Sequence, residues 1–262
     1  MKIAITGAGH MGSWLAKELS AGNSIAIYDT DTAKAASAAA GIKNCRSFDG
    51  ISGLKEFAPE MFINTASLQN TVAAYKESEK FLPKDCVLCD VASVKNGLPE
   101  YYTGCGFRFV SFHPMFGPTF ADMNALKEEN VVLIRESDET AAEFFRAFFK
   151  RLGLRIFEYS FAEHDRMMAY SLTIPFVSSL VFAACVDATA VPGTTFSRHI
   201  NIARGLLSED DHLLAEILFN PNSLEKIEKI TSRLEYLKHI IKGRDSEEIT
   251  KFFNKLRNNV TA

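Results

Sequence analysis

A chain of 262 residues that is 47% hydrophobic and 23% charged holds enough apolar content for one large globular domain or two moderate ones, which excludes disorder. Its net charge of −3 gives no general attraction for nucleic acid or an anionic membrane surface, so an anionic substrate would have to be held by a few placed cations. No run approaches about eighteen consecutive apolar residues and the chain starts directly in a strand, so no membrane association and a cytoplasmic location are expected. The cysteines Cys45, Cys86, Cys89, Cys105 and Cys185 are odd in number and scattered, as free thiols would be. Cys86 and Cys89 form a CxxC inside an apolar, strand-like run, where they would face opposite sides; no metal site is expected.

Lys2 to Thr6 reads as a short apolar strand, followed at once by Gly7-Ala8-Gly9-His10-Met11-Gly12 and a helical pattern, Trp14 to Leu19. A GxGxxG set between strand and helix, with an acid, Asp29, closing a second strand (Ser24 to Tyr28), is the fingerprint of a dinucleotide site. Gly7 makes the tight turn, Gly9 lets the backbone approach a pyrophosphate, Gly12 lets helix and strand pack, and His10 and Met11 lie in the same cradle. The pyrophosphate would rest on the amides at the helix N-terminus. Asp29 can accept both ribose hydroxyls but repels a 2′-phosphate, and Thr30-Asp31-Thr32 offers no arginine, so NAD is expected over NADP. Asp31 reads as a helix N-cap.

Strand and helix continue to alternate through Met61 to Ile63, Thr71 to Phe81, Cys86 to Val91, Phe107 to Phe112 and Val131 to Ile134, the rhythm of a doubly wound parallel sheet. Three strand ends open onto one crevice, because parallel strands point their carboxyl ends the same way. The first is Asn64-Thr65-Ala66-Ser67, whose Thr65 and Ser67 would border the cofactor. The second is Asp90-Val91-Ala92-Ser93-Val94-Lys95, in which Ser93 is either a helix N-cap or a partner of imidazole, nicotinamide or substrate. Lys95 reads as a solvated lysine on the next helix. The third is Val110-Ser111-Phe112-His113-Pro114-Met115-Phe116-Gly117-Pro118, which ends an apolar strand in a histidine before a Pro/Gly loop. His113 either caps that strand or serves the crevice.

A helix from Glu139 to Leu152 and a strand from Arg155 to Phe157 close a first domain, residues 1–160. Residues 161–262 show only helical periodicity, over Phe161 to Ala190, Thr195 to Leu207, His212 to Phe219, Leu224 to Ile241 and Glu247 to Asn258. Pro175 is expected to kink the first of these. The stretch Ile174 to Cys185 is apolar all round, more than a small helical domain can bury, which points to a homodimer.

A dinucleotide beside a crevice histidine makes hydride transfer the default reaction. No lysine occurs between Lys150 and Lys226, which excludes a lysine base on the interdomain helix and leaves His113. With an ordinary pKa of about 6.5 it would be mostly neutral at neutral pH and able to take a hydroxyl proton. His113-Pro114-Met115-Phe116-Gly117-Pro118, with Asp90 to Lys95 before it and Glu163-His164-Asp165 after, resembles the prephenate dehydrogenase family. The resemblance implies an NAD-dependent Rossmann domain followed by an all-α dimerisation domain, and conversion of prephenate to 4-hydroxyphenylpyruvate in tyrosine biosynthesis. It implies His113 as the catalytic group, Ser93 as its support, and an arginine of the helical domain on a substrate carboxylate, with Arg204 preferred to Arg198. His164 and Asp165 match the family's His-Asp pair, where a helix start or an interdomain bridge explains them as well as catalysis. The chain departs from a Ser-His-x-Pro-His run found in some members, having Ser171-Leu172-Thr173-Ile174-Pro175-Phe176, which leaves arogenate open as substrate. A non-catalytic, NAD-sensing protein on the same fold is the alternative of another class.

Overall fold

The computed structural model describes residues 1–262 apart from 118–120, 123–124, 128, 188, 190 and 262. In chain order the first part contains β1 (Lys2–Thr6), α1 (His10–Leu19), β2 (Ser24–Tyr28), α2 (Thr32–Ala39), β3 (Cys45–Phe48), α3 (Gly53–Phe57) and β4 (Met61–Asn64). A 3-10 turn at Leu68–Asn70 leads into α4 (Thr71–Ser78), followed by β5 (Val87–Asp90), α5 (Leu98–Cys105), β6 (Arg108–Pro114), β7 (Asn130–Ile134), α6 (Glu139–Arg151) and β8 (Arg155–Tyr159). The strands form one sheet in the order β3-β2-β1-β4-β5-β6-β7-β8.

From β3 across to β6 every pairing is parallel, as the alternation of strand and helix dictates. At β7 the direction reverses: β7 is antiparallel to β6, with His113 opposite Val132, and β8 is parallel to β7. The cause is the connection, which has no helix among its described residues between β6 and β7 to carry the chain back over the sheet. His113 consequently lies within the last turn of pairing of β6 and not in a loop beyond it.

Alternation along each strand builds two cores. One face presents Ile3, Ile5, Ile25, Ile27, Cys89, Val110 and Phe112 to α1 and to the Phe145, Phe148 and Phe149 ridge of α6. The other presents Ala4, Phe62, Cys86 and Leu88 to Leu54 and Phe57 of α3, Tyr75 of α4, and Leu98 and Tyr102 of α5. Cys86 and Cys89 thus point into opposite cores as free thiols.

Beyond the sheet the chain is helical: α7 (Phe161–Met168), α8 (Ile174–Ala184), α9 (Thr194–Leu206), α10 (Asp211–Leu218), α11 (Ser223–Gly243) and α12 (Ser246–Thr261). A capping box of Ser160 and Glu163 starts α7. Between α7 and α8 the backbone widens into a π-turn at Ala169–Thr173, so the long helix read from the sequence is two helices with an irregular joint; its expected end, Ala190, lies outside the described residues. Pro175 explains the joint, since it lacks an N–H and its ring would crowd the Ser171 carbonyl in a regular helix. The helical part is tied to the sheet part by the Lys95 amide, which donates to Asp165 Oδ1 at 2.8 Å, and by packing of α10 on the 3-10 turn, while Asn220 Nδ2 fastens the Asp165 carbonyl from within the helical part at 2.9 Å. Within the helical part, α9 packs on α8, and the buried hydroxyls of Thr173 and Ser223 meet at 2.6 Å. By length and composition the run Phe161–Ala184 could cross a membrane, but its first turns carry Glu163, His164, Asp165 and Arg166, with His164 fully buried. No residue of α8 is buried, and Val181 is 50% exposed.

Candidate active site

Two of the three glycines of the first turn have a steric reason within the chain. Gly7 has φ +94°, and a Cβ there would meet the Thr65 carbonyl oxygen at 2.8 Å; one at Gly12 would stand 1.9 Å from the Gly7 carbonyl oxygen. A Cβ at Gly9 would meet nothing within 4 Å, so the space beside it is open for a ligand to approach the backbone. Gly9 is also the N-cap of α1; it offers no side-chain cap, and the first turn holds no acid. The amides that begin α1 are thus left to an external anion, which is what a pyrophosphate requires. His10 is exposed at this end and Met11 is half-buried against the core.

The other expected cofactor residues hold the loop itself. Asp29 Oδ2 accepts the Ala8 amide at 2.7 Å and Oδ1 accepts the Asp31 amide at 2.9 Å, while Asp31 caps α2 through the amides of Ala33 and Lys34. The Thr65 hydroxyl bonds the carbonyls of Thr6 and Gly7, at 2.9 and 3.0 Å, and packs against both Gly7 and Gly12. Ser67 Oγ accepts Asn70 Nδ2 at 2.9 Å at the entrance to the 3-10 turn.

Three strands along from β1, His113 is 5% exposed and belongs to a chain of hydrogen bonds that begins on α7. Asp165 Oδ1 accepts from His164 Nδ1 at 2.9 Å and from the Lys95 amide at 2.8 Å. A carboxylate can only accept, so His164 carries its proton on Nδ1 and presents a bare Nε2. That nitrogen lies 3.1 Å from His113 Nδ1, which must therefore be the donor. His113 is left with a lone pair on Nε2, which has no hydrogen-bond partner among the described residues. The His-Asp pair that the sequence left between structure and catalysis thus sets the tautomer of His113, in the manner of an acid that orients a histidine base.

Lys95 is not the solvated lysine that its place before a helix suggested. It is 0% exposed, in the loop preceding α5, and its Nζ donates to Asp90 Oδ1 at 2.5 Å and to the Phe112 carbonyl at 2.9 Å. Asp90 Oδ2 accepts the Tyr102 hydroxyl at 2.7 Å, and Tyr75 in turn lies 3.0 Å from Tyr102. A carboxylate at the end of β5, braced by the Tyr102 hydroxyl, and the Phe112 carbonyl thereby receive a buried ammonium, which burial without partners would forbid. Burial pushes the Lys95 ammonium below its ordinary pKa, a fall that Asp90 opposes. Sequence reasoning missed Lys95, Asp90 and Tyr102; the one available signal was an acid, a lysine and a tyrosine clustered around a single strand end.

Ser93 is half-buried in the same loop and caps no helix, since α5 begins at Gly97-Leu98; no hydrogen bond joins it to His113 among the described residues. Arg198 and Arg204 both lie on α9, exposed, and neither side chain has an ion-pair or hydrogen-bond partner among the described residues. The structure brings His113, His164, Asp165 and Lys95 together; it does not bring either arginine into bonded contact with them. Pro118, the last residue of the histidine motif, lies outside the described residues, while Phe116 packs edge-on against Trp14 of α1 with ring centroids 5.3 Å apart.

A glycine turn at the first β–α junction, an acid closing the second strand and a buried pair of bonded histidines at the same edge of the sheet define a Rossmann-type nucleotide-binding protein. Residues 15–158 match the family model "Prephenate dehydrogenase, nucleotide-binding domain", and the chain belongs to the prephenate dehydrogenase family. It is similar to arogenate dehydrogenase 1, chloroplastic, of Arabidopsis thaliana, at 26% identity over 93% of this chain and 40% of that protein. It is also similar to the T-protein of Enterobacter agglomerans, at 24% identity over 67% of this chain and 49% of that protein. The chain thus spans less than half the length of both these curated relatives. Its fold is that of the crystal structure of prephenate dehydrogenase from A. aeolicus in complex with hydroxyphenyl propionate and NAD+, with a TM-score of 0.87 at 20% identity, covering 100% of this chain and 97% of that one.

Both relay histidines are held neutral. His113 is pushed well below the usual histidine range by burial first, then by His164 and the Lys95 charge; His164 is pushed to about 3 by burial and Lys95, against Asp90. The ordinary value of about 6.5 expected from the sequence does not survive this environment. In the unfolded chain both would titrate near 6.5, so below that pH the unfolded state binds more protons than the folded one. Stability should be full above about pH 6.5 and fall by on the order of a few kcal/mol as pH drops toward the folded value of about 3 for His164. Denaturant unfolding between pH 7 and pH 4 checks this. A smaller loss between the two ends in a His164→Gln variant than in the parent is the expected signature, since His113 keeps its own share.

Proposed function

We propose that this chain is an NAD-dependent dehydrogenase that oxidatively decarboxylates prephenate to 4-hydroxyphenylpyruvate in tyrosine biosynthesis. The observation that carries this reading is the bare Nε2 of His113, a neutral and oriented base at the sheet edge that also carries the glycine turn. Strands are spaced about 4.8 Å apart, so three steps from β1 to β6 put His113 roughly 14 Å from the pyrophosphate cradle, about the reach of the nicotinamide half of a dinucleotide. NAD held by the α1 amides would supply the hydride acceptor. Asp29 argues for NAD over NADP, because its carboxylate is fixed at the crevice by Ala8 and Asp31 and would face a 2′-phosphate with like charge.

His113 Nε2 takes the proton of the substrate's ring hydroxyl while the carbon bearing it loses hydride. The resulting imidazolium is stabilised through Nδ1–H to His164 and on to Asp165. The bond to the ring carboxylate then breaks, its electron pair enters the ring, carbon dioxide leaves, and the ring oxygen regains a proton. Ser93 lies on the same edge with an uncommitted hydroxyl and supports the substrate hydroxyl in this reading. An arginine of α9, Arg204 in preference to Arg198, meets a substrate carboxylate with bidentate geometry. Arogenate is the second reading, favoured by the Arabidopsis relative and by the absence of the Ser-His-x-Pro-His histidines from the π-turn segment. The unburied apolar α8 supports a homodimer joined through the helical part, since a surface so apolar is unfavourable in water and a second copy offers a matching one.

Incubation with NAD and prephenate should release carbon dioxide with stoichiometric NADH; binding of NAD without turnover of prephenate or arogenate would instead mark a sensing protein. His113→Asn should lower kcat by about 10²- to 10⁴-fold with NAD affinity unchanged. Activity should fall as pH drops through the folded His113 pKa, which lies well below 6.5, so the acidic limb should be displaced downward from the ordinary histidine position. A limb at about 6.5 would contradict the relay.

Asp29→Ala should weaken NAD binding and narrow its margin over NADP in kcat/KM, and better use of NADP by the unmodified chain would overturn the assignment. Arg204→Gln should raise KM for prephenate far more than it lowers kcat, by about 2 to 5 kcal/mol if the ion pair is buried on binding. The effect appearing in Arg198→Gln alone would move the clamp to that residue. Sedimentation at micromolar concentration should give twice the chain mass, and a well-behaved monomer would refute the dimer.

A further inference from the structure

We propose that Lys95 is the positioning residue of His113, fixing it from two sides at once, an inference that rests on the reading of His113 as the base. Its ammonium holds the Phe112 carbonyl, the peptide oxygen immediately before His113, at 2.9 Å. Its own amide holds Asp165 Oδ1 at 2.8 Å, the carboxylate that dictates the tautomer of His164 and, through it, that of His113. No other residue touches both the backbone that carries the imidazole and the relay that orients it, among the described residues. The lysine is itself held by Asp90, which Tyr102 and the Ala92 amide brace at 2.7 and 3.1 Å.

The groups facing His113 are His164 and Asp165 from α7, Lys95 and Asp90 from β5 and its loop, and Tyr102 behind them on α5. The strand on its other side, β7, contributes only Val131, Val132 and Leu133 at this level. Lys95 brings the one permanent positive charge in this set, and that charge disfavours a proton on either histidine. The ammonium therefore does two things: it sets where the imidazole stands, and it adds to the burial and the His164 neighbour that together keep the imidazole free to accept.

The test is the double variant Lys95→Met with Asp90→Asn, which removes both buried charges together and so avoids stranding one of them. Long-range proton–nitrogen spectra of protein labelled at histidine nitrogen should show the unmodified His113 protonated at Nδ1 and bare at Nε2, without titration near the ordinary value. In the folded double variant the backbone amide at position 95 still holds Asp165, so His113 should keep its Nδ1 proton but titrate closer to about 6.5. Its kcat should drop roughly 10- to 100-fold with KM for NAD unchanged, and the acidic limb should move up in pH.

A folded double variant that loses thermal stability but keeps the His113 titration and pH profile would show that Lys95 only fills space, and the proposal would fall. Should the double variant not fold, Lys95→Gln takes its place, since its amide can still donate to Asp90 without carrying charge, and the same readouts decide. A bare Nδ1 on His113 in the unmodified protein would also overturn the proposal. Full activity of His113→Asn would remove the base assignment alone, because the histidine spectra judge the part played by Lys95 without any turnover.

Discussion

A buried ammonium is the constraint from which the rest of this site follows. Lys95 has no contact with water, so its charge can persist only beside a counter-charge and hydrogen-bond acceptors. The sheet supplies the counter-charge at the end of β5 and an acceptor at the adjacent level of β6, two strands in parallel register with Asp90 beside Ser111. Helix α5 supplies the tyrosine that completes the carboxylate. A pair of this kind adds little net stability compared with apolar residues of the same shape. What it does provide is direction: the two strand ends and the first turn of α7 can meet in one arrangement only.

The same constraint explains how the two parts of the chain share one site. The sheet contributes His113 and Lys95, the helical part contributes His164 and Asp165, and Asn220 returns from the turn before α11 to fasten the Asp165 carbonyl. The relay is therefore complete only when α7 is docked on the sheet. The capping box at Ser160, together with the ion pair of Arg135 with Glu163, fixes the entry of that helix close to the edge of β7 and β8.

The sequence made the nucleotide end plain, because the fingerprint there is local: a strand, three glycines at fixed spacing and an acid on the next strand lie within one β-α-β unit. It also exposed His113, since a histidine ending an apolar run stands out. Lys95 was misread because a lysine before a helix is nearly always solvated, and its partners lie on strands whose adjacency is a tertiary fact. The reversal at β7 was hidden for a related reason, as an apolar run such as Val131 to Ile134 carries no mark of its direction. Of the two readings of Ser93, the helix cap fails because α5 starts later than the sequence suggests; Gly97, with φ +80°, delays it. The arginines of α9 could be singled out by type but not placed, because nothing local ties an exposed cation to a crevice formed elsewhere.

The contact between Trp14 and Phe116 makes the molecule self-reporting. Trp14 is the chain's single tryptophan, 7% exposed, wedged between Phe116 and Phe148, with no partner for its indole N–H among the described residues. An indole in such dry surroundings emits at short wavelength, and admission of one water to its N–H would redden and dim that emission. Since Phe116 follows the histidine strand and Trp14 follows the glycine turn, the ultraviolet fluorescence of the unmodified protein registers any relative displacement of the two, with no label and no second chromophore of its kind to confuse the signal.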